Sequence, residues 1–423
     1  MNTPTQAAGA AGPATPAAQA ATSLPTSPEA LRGLKVVEMG QLIAGPFAGK
    51  TLAEFGAEVI KIEAPGAGDP LRNWRLLQDG TSVWWQVQSR NKRSIALDLR
   101  QAEGQAIAKR LIGEADVLIE NFRPGTLEAW GLDYDTLAQD NPGLVMLRIS
   151  GYGQTGPYRD LPGFGAIGEA MGGLRHLTGE PGRVPVRCGI SIGDTLAALH
   201  GTIGVLVALQ ARQANGGRGQ VIDVALHEAV FNVMESLVPE YSAFGAVREP
   251  AGSALPGIAP SNAYRCADGA VVLIAGNGDS IFKRLMAVVG RPDLADDPAL
   301  ADNAGRVRRV DELDDAIGAW TAQHPATEVL ARLGEAKVPA GRVYTAKDIV
   351  EDPHYRARDM ILRQTTRDGH TLEVPGVVPK LSATPGRVKT SAPRLGDDTD
   401  AVLAELGCDA DAIAALRARR VVA

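Results

Sequence analysis

Short β-prone runs alternate with helical segments between residues 33 and 150, and this alternation is the feature that most limits the fold. The predicted strands lie at 35–39, 58–62, 95–99, 117–119 and 145–149. Each is separated from the next by a segment with helical character or by a turn. Strands that recur with helices between them form parallel sheets, so we predict an α/β protein with a doubly wound parallel sheet.

The rest of the chain divides at a linker. Residues 247–260 are rich in proline, glycine and alanine, which is typical of a domain boundary. A compact α/β stretch follows, and a chain of 423 residues is long enough for two domains. We predict a disordered tail at 1–32, a large domain at 33–246, a linker with a smaller α/β domain at 247–343, and a C-terminal part at 344–423.

The overall composition indicates a globular protein. Hydrophobic residues make up 45% and charged residues 22%, and a net charge of −6 gives no basic excess for nucleic acid. No apolar run approaches the about 20 residues of a membrane span, and the first residues lack the basic segment of a signal peptide. The three cysteines and six histidines show no ligand spacing. We therefore predict a cytoplasmic protein without a metal site, a membrane or a nucleic-acid partner.

The stretch at 184–212 contains the strongest candidate for a catalytic residue. A β-prone run at 184–190 stops at Gly193, and Asp194 opens a long apolar segment that predicts a buried helix. The N-terminus of a helix at such a junction favours negative charge. Asp194 is either an N-cap that accepts hydrogen bonds from the first turn or a nucleophile that forms an anhydride or thioester, and one carboxylate can do both.

Ser191 is the alternative nucleophile. Residues 189–193 read G-I-S-I-G and match the G-x-S-x-G pattern of serine hydrolases, which place the serine between a strand and a helix. Such an enzyme also needs a downstream acid and a histidine, for which His354 and His370 are candidates. The residues alone leave both nucleophiles open.

Two loops are further candidates for ligand binding. Residues 89–94 read S-R-N-K-R-S and precede the strand predicted at 95–99, so this basic loop either forms a solvated surface or binds phosphate. A glycine-rich stretch at 151–173 is long enough to be a functional loop. The glycines of the first βα turn do not have the G-x-G-x-x-G spacing, so a nicotinamide dinucleotide site is disfavoured.

A set of short sequence motifs, in a fixed order, indicates a family resemblance. They are G-L-K-V-V-E-M-G at 33–40, A-G-P at 44–46, L-A-E-F-G-A-E-V-I-K-I-E at 52–63, R-N-K-R-S-I at 90–95, E-N-F-R-P-G at 120–125, S-G-Y-G-Q-T-G-P-Y at 150–158, G-D at 193–194, G-R-G-Q at 217–220 and D-P-H at 352–354. The chain resembles the class III CoA-transferases of the formyl-CoA transferase type. The resemblance implies a Rossmann-like large domain made from N-terminal and C-terminal parts, a smaller domain between them, and a homodimer of two interlocked chains.

The resemblance also implies the residues of the site. The family's nucleophilic aspartate falls on Asp194, and acyl-CoA is a substrate rather than a tightly bound cofactor. The family's CoA-contacting segments fall on Gln41, Leu42, Ile43, Ala44, Asn91, Lys92, Arg93, Asn121, Phe122 and Arg123. The cations expected to bind the CoA phosphates are Lys92, Arg93 and Arg123.

The implied reaction moves CoA between two carboxylic acids through an aspartyl anhydride and an aspartyl-CoA thioester. The resemblance favours succinyl-CoA as the donor and a short dicarboxylic acid as the acceptor. A second carboxylate would bind an arginine, and the candidates are Arg72, Arg75 and Arg187.

Two departures from relatives within this family limit the reaction further. Ser150 stands where formyl-CoA transferase has a lysine, and residues 251–260 lack its glycine run, so formate is not the expected substrate. The α-methylacyl-CoA racemases carry a His-Asp pair where this chain has Phe164 and Gly165. Without a base to move an α-proton, racemisation is the less favoured alternative.

Overall fold

The computed structural model describes residues 28–423, whose strands form a six-stranded sheet, a three-stranded sheet and two hairpins. The strands before residue 247 are β1 (Lys35–Glu38), β2 (Glu58–Glu63), β3 (Leu77–Gln78), β4 (Thr81–Ser82), β5 (Lys92–Ala96), β6 (Val117–Glu120), β7 (Val145–Ser150) and β8 (Val221–Ala225). The helices of this part are α1 (Ala44–Glu54), α2 (Val83–Gln88), α3 (Ala102–Gly113), α4 (Thr126–Ala129), α5 (Tyr134–Asp140), α6 (Gly165–Met171), α7 (Leu174–Leu177), α8 (Ile192–Ala214), α9 (Leu226–Phe231) and α10 (Leu237–Phe244), with a 3-10 helix at Pro70–Asn73.

The six-stranded sheet is parallel throughout, as the alternation predicts. Its order is β5-β2-β1-β6-β7-β8. When these strands are counted along the chain, this is the 3-2-1-4-5-6 order of the Rossmann fold, which reverses between β1 and β6. Ligands of such sheets bind beyond the carboxyl ends of the strands at that reversal. The fold therefore directs attention to the turns that follow β1 and β6.

Both faces of this sheet are buried. Val36, Val117 and Ile119 pack with α1 and α8 on one face, while Val37 and Leu118 pack with α3 and α5 on the other. Strands covered on both faces need apolar residues at successive positions, which explains the uninterrupted Val-Leu-Ile run of β6.

The chain after residue 246 first builds a separate antiparallel sheet with its own core and then returns to the parallel sheet. Its strands are β9 (Ser261–Arg265), β10 (Val271–Ala275), β11 (Ala340–Arg342), β12 (Ile361–Thr365) and β13 (Thr371–Pro375). Its helices are α11 (Asp279–Val289), α12 (Pro292–Ala295), α13 (Asn303–Arg308), α14 (Val310–Thr321), α15 (Ala326–Glu335), α16 (Ala346–Glu351), α17 (Pro353–Ala357), α18 (Thr399–Glu405) and α19 (Ala410–Ala418), with a 3-10 helix at Pro298–Leu300. Strands β9 to β11 share a core with α11, α14 and α15. The C-terminus joins the core beneath β5, where Asp98 donates its N–H to the Val421 carbonyl at 2.9 Å.

Helix α8 corrects two sequence predictions, namely that this helix is buried and that no apolar run approaches the length of a membrane span. It has 23 residues, and among residues 28–423 it is the one helix that could cross a membrane by length and composition. One face packs on the sheet so closely that a Cβ on Gly201 would lie 2.9 Å from Leu147 Cδ2. The opposite face exposes apolar side chains, namely Leu199, Ile203, Leu206 and Val207.

Several sequence predictions differ from the structure. The β-prone run at 184–190 is not a strand but an exposed irregular segment, and no strand within residues 28–423 pairs with it. The strand predicted at 95–99 begins at Lys92, and the glycine-rich loop contains α6. The segment after β8 forms two helices, α9 and α10, with Glu235 at φ +53° between them. Residues 1–27 of the predicted tail lie outside the described residues, whereas Leu31 donates its N–H to the Phe55 carbonyl at 2.9 Å.

Candidate active site

A cleft of about 280 Å³ opens at the carboxyl edge of the sheet, beside the reversal between β1 and β6. The turn after β1, the turn after β6, the end of β7 and the first turn of α8 meet there. Its lining residues are Gln41, Leu42, Ala44, Asn121, Phe122, Arg123, Pro124, Ile149, Ser150, Gly151, Arg159, Leu161, Pro162, Gly163, Phe164, Asp194 and Leu226. Segments far apart in sequence thus form one site at the place where a Rossmann sheet binds its ligand.

The turns after β1 and β6 are joined by a reciprocal pair of hydrogen bonds. Gln41 donates its N–H to Asn121 Oδ1 at 2.7 Å, and Asn121 Nδ2 donates to the Gln41 carbonyl at 2.9 Å. Glu120, at the end of β6, accepts a hydrogen bond from the Phe122 N–H at 2.8 Å. Of the residues predicted in these turns, only Ile43 does not line the cleft, because its side chain is buried in the core.

Asp194 is the third residue of α8, which begins at Ile192. The interpretation of Asp194 as the N-cap is therefore wrong, since Ser191 occupies that position and no side chain caps the helix. Burial and, next, the Glu169 carboxylate raise the pKa of Asp194 to about 6, while Arg187 opposes them. The carboxylate is thus ionised above pH 6 and more basic than an ordinary aspartate, which suits a nucleophile.

Gly165, the first residue of α6, makes room for the Asp194 side chain. A Cβ at Gly165 would lie 2.0 Å from Asp194 Oδ2, a distance that no side chain can accept without displacing the carboxylate. This position is one of the two where the racemases carry a His-Asp pair. In this chain Gly165 allows α6 to approach α8 closely, and it has no side chain that could transfer a proton.

Glu169 is a charged neighbour of Asp194 that sequence reasoning missed. Its side chain is buried on α6, and Oε2 accepts a hydrogen bond from Arg175 Nη2 at 3.0 Å. Its other oxygen, Oε1, has no hydrogen-bond partner among the described residues and lies 4.0 Å from Arg187 Nη2. The sequence feature that could have identified Glu169 is a single acidic residue among the small and apolar residues of G-A-I-G-E-A-M-G-G at 165–173.

Ser191 lacks the partners of a hydrolase nucleophile. Its hydroxyl accepts a hydrogen bond from Arg187 Nη2 at 3.3 Å, and no histidine in residues 28–423 is bonded to it. The candidate His370 pairs with Asp79 instead, and His354 lies in α17. The geometry therefore favours Asp194 over Ser191.

The structure does not bring the predicted basic loop to the cleft. Lys92 and Arg93 begin β5, and the amino ends of parallel strands lie opposite the edge that holds the cleft. Lys92 is buried, with Nζ 2.7 Å from Glu38 Oε2, and burial lowers the pKa of Lys92 to about 8. Arg93 pairs with Glu405 at 2.8 Å. These cations are already bound to carboxylates of the chain.

Asn91 has a structural role in the described chain. Its Nδ2 donates to the Arg387 carbonyl at 2.7 Å, and its Oδ1 accepts the N–H groups of Lys389 and Thr390 at 2.7 and 3.0 Å. Asn91 therefore fastens the C-terminal segment to the parallel sheet. The basic residues that do line the cleft are Arg123 and Arg159.

The three arginines considered for a second substrate carboxylate lie in different places. Arg72 is paired with Glu63 at 2.7 Å, and Arg75 stacks over Trp84 at 4.7 Å. Only Arg187 lies beside Asp194, and its side chain is 46% exposed. Within residues 28–423 no group of three or more His, Cys, Asp or Glu side chains is arranged to hold a metal ion.

Comparisons with known proteins identify the family of the chain. The model of CoA-transferase family III matches residues 31–399, so the chain belongs to that family and is a CoA-transferase. It is similar to succinyl-CoA–D-citramalate CoA-transferase of Chloroflexus aurantiacus, with 50% identity over 93% of this chain and 98% of the relative. It is also similar to the alpha subunit of succinyl-CoA–L-malate CoA-transferase of Chloroflexus aurantiacus, with 41% identity over 93% and 92% of the two chains. A crystal structure of a CAIB/BAIF family protein from Brucella suis aligns with a TM-score of 0.80 at 36% identity, over 89% of this chain and 99% of that one.

Proposed function

We propose that this CoA-transferase moves CoA from succinyl-CoA to a short dicarboxylic acid through covalent intermediates on Asp194. The observation that carries the proposal is the position of Asp194, whose carboxylate lines the same cleft as the turns after β1 and β6. Gln41, Leu42, Ala44, Asn121, Phe122 and Arg123 would contact CoA in that cleft. The Arg123 guanidinium is suited to a CoA phosphate.

The reaction proceeds as four balanced acyl transfers. The Asp194 carboxylate attacks the succinyl-CoA carbonyl, and CoA leaves as the thiolate while a mixed anhydride forms. The thiolate then attacks the aspartyl carbonyl, which releases succinate and leaves Asp194 as its CoA thioester. The acceptor carboxylate attacks this thioester to form a second anhydride, and the returning thiolate takes the acceptor acyl group and regenerates the carboxylate.

The surroundings of Asp194 support this sequence. Attack requires the ionised carboxylate, and a pKa of about 6 leaves most of it ionised at neutral pH. The site also needs to exclude water, because each intermediate is open to hydrolysis. Apolar side chains line the cleft, namely Ile149, Leu161, Phe164 and Leu226, and a bound acyl-CoA would cover the exposed Leu161 and Phe164.

A dicarboxylic acceptor is supported by Arg187 and by the relatives. Both named relatives act on dicarboxylic acids, citramalate and malate. In this chain the exposed Arg187 guanidinium lies beside Asp194 and could bind the carboxylate that does not react.

A panel of free acids with succinyl-CoA tests the substrate class. We expect CoA transfer to glutarate or malate to be at least tenfold more efficient than transfer to valerate, a monocarboxylate of similar length. Well above pH 6, where Asp194 is ionised even without the help of Arg187, Arg187→Gln should remove most of that preference by raising the KM of the dicarboxylate, while transfer to valerate changes little. Equal use of mono- and dicarboxylates by the unmodified enzyme would contradict the dicarboxylate assignment.

We further propose that two chains form an interlocked homodimer and that the enzyme acts in the cytoplasm. The apolar face of α8, formed by Leu199, Ile203, Leu206 and Val207, is exposed in the single chain, and a second copy would cover it. The three cysteines are unpaired, which is the state that a reducing compartment maintains.

A further inference from the structure

The turn between β1 and α1 is held by side chains rather than by regular backbone pairing. Lys61 Nζ donates to the Gly40 carbonyl at 2.7 Å, and Asn121 bonds both backbone groups of Gln41. The Ile43 carbonyl accepts from Gln88 Nε2 at 2.9 Å. Since this turn lines the cleft, the groups that hold it also set the position of its ligand contacts.

Leu42 is the strained residue of the turn. Its φ is +63°, a left-handed conformation that a leucine rarely adopts. Its N–H donates to both carboxylate oxygens of Asp69, at 3.0 and 3.2 Å. Asp69 therefore stabilises a backbone conformation that the leucine would otherwise leave.

Asp69 is part of a buried cluster of charges. Lys61 Nζ lies 2.9 Å from Asp69 Oδ2 and 3.0 Å from Glu38 Oε1, and these three side chains are buried. Although burial alone would raise it, Lys61 and backbone N–H groups lower the pKa of Asp69, which is therefore ionised. The whole cluster contains three acidic and three basic side chains, namely Glu38, Glu63, Asp69, Lys61, Arg72 and Lys92.

Transferring so many charged groups from water to the interior costs free energy. Such a cluster is therefore better suited to defining one conformation than to raising the free energy of unfolding. Its members bind the backbone of the turn and of the first turn of α1, since Lys61 Nζ donates to the Gly40 carbonyl and Lys92 Nζ donates to the Pro46 carbonyl, each at 2.7 Å. Lys92, which the sequence suggested as a phosphate ligand, thus supports the proposed CoA-binding turn from its buried side, through Glu38 and the Pro46 carbonyl.

We propose that Asp69, supported by Lys61, is a positioning residue that fixes Gln41 and Leu42 in the conformation that binds the acyl-CoA substrate. The proposal rests on the assignment of the cleft to CoA. Asp69 does not itself line the cleft, so it acts through the Leu42 N–H.

The test compares two substitutions that each remove one buried negative charge without changing side-chain shape. Asp69→Asn removes the negative charge of the group that accepts the Leu42 N–H. Glu54→Gln is the matched control, because Glu54 is also buried, accepts a hydrogen bond from Arg90 at 2.7 Å and lies at the far end of α1. Binding of CoA is measured by calorimetry, steady-state constants by turnover of succinyl-CoA, and turn order by hydrogen exchange of the Leu42 amide.

We expect Asp69→Asn to weaken CoA binding and to raise the KM for succinyl-CoA at least tenfold, with a smaller change in kcat. The Leu42 amide should exchange faster in the free protein. Glu54→Gln should lower the melting temperature while it leaves the CoA affinity within twofold of the unmodified enzyme.

Unchanged CoA affinity in folded Asp69→Asn would overturn the proposal, as would an equal loss of affinity in Glu54→Gln. Absence of CoA binding by the unmodified enzyme would instead contradict the assignment of the cleft. Exchange of the Leu42 amide separates these cases, because it reports whether Asp69 holds the turn without any ligand.

Discussion

Asp194 combines burial with neighbouring charges of both signs. The Glu169 carboxylate opposes its ionisation and the Arg187 guanidinium favours it, and burial leaves the net pKa at about 6. A nucleophilic carboxylate benefits from this value, because basicity favours attack on a thioester and the group is still ionised near neutral pH. Glu169 thus adjusts the reactivity of a residue with which it shares no hydrogen bond in the described chain.

The rate of transfer should follow the ionisation of Asp194. Because the carboxylate attacks only when deprotonated, kcat/KM is expected to rise with pH through about 6 and then level off. Glu169→Gln removes a charge that raises this pKa, so the midpoint should move to lower pH. The measurement is the pH profile of kcat/KM for both enzymes, with Glu335→Gln, an exposed and remote change, as the control. A midpoint that stays in place or moves upward in Glu169→Gln would contradict this account.

Helix α8 serves the site and the surface at the same time. Its first turn presents Asp194, its middle packs on β7 through Gly201, and its outer face exposes apolar side chains at helical spacing. An exposed apolar stripe of this kind often marks a surface that another chain covers. The element that carries the proposed nucleophile is therefore also the element expected to contact a second copy.

A charge on the outer face of α8 should disturb the dimer. Ile203 is 59% exposed in the single chain, and Ile203→Glu would place a carboxylate inside the proposed interface. We expect the unmodified enzyme to sediment as a dimer at micromolar concentration and the variant to shift at least tenfold toward monomer. Gln213→Glu, at an exposed polar position near the end of the same helix, is the control. A monomeric unmodified enzyme would refute the dimer proposal.

At the scale of the whole molecule, the sequence predicted the elements whose pattern is local. The buried strands β1, β2, β6 and β7 are short segments rich in apolar residues between turns, and their alternation with helices correctly indicated the parallel sheet. The family resemblance assigned Asp194 and the turns after β1 and β6 to the site. The structure brings these three segments to one cleft.

The differences between prediction and structure concern features that depend on distant residues. The run at 184–190 has β propensity, but no strand in the described part of the chain lies beside it, and propensity alone does not make a strand. Lys92 and Arg93 have a phosphate-binding composition, yet Glu38 and Glu405 neutralise them, and nothing near them in sequence indicates these partners. Glu169 and Asp69 were missed for the same reason, because their significance lies in contacts with Asp194 and Leu42.

The central claim is that the acyl and CoA groups pass through the Asp194 carboxylate. The direct measurement is mass spectrometry of peptides from enzyme that has been mixed with succinyl-CoA, quenched and digested, with and without hydroxylamine. We predict a CoA adduct or a hydroxylamine-derived product on Asp194 in the unmodified enzyme and in Ser191→Ala, and neither in Asp194→Ala, which should also lose transfer. Modification of Ser191, or full transfer activity in Asp194→Ala, would contradict the account.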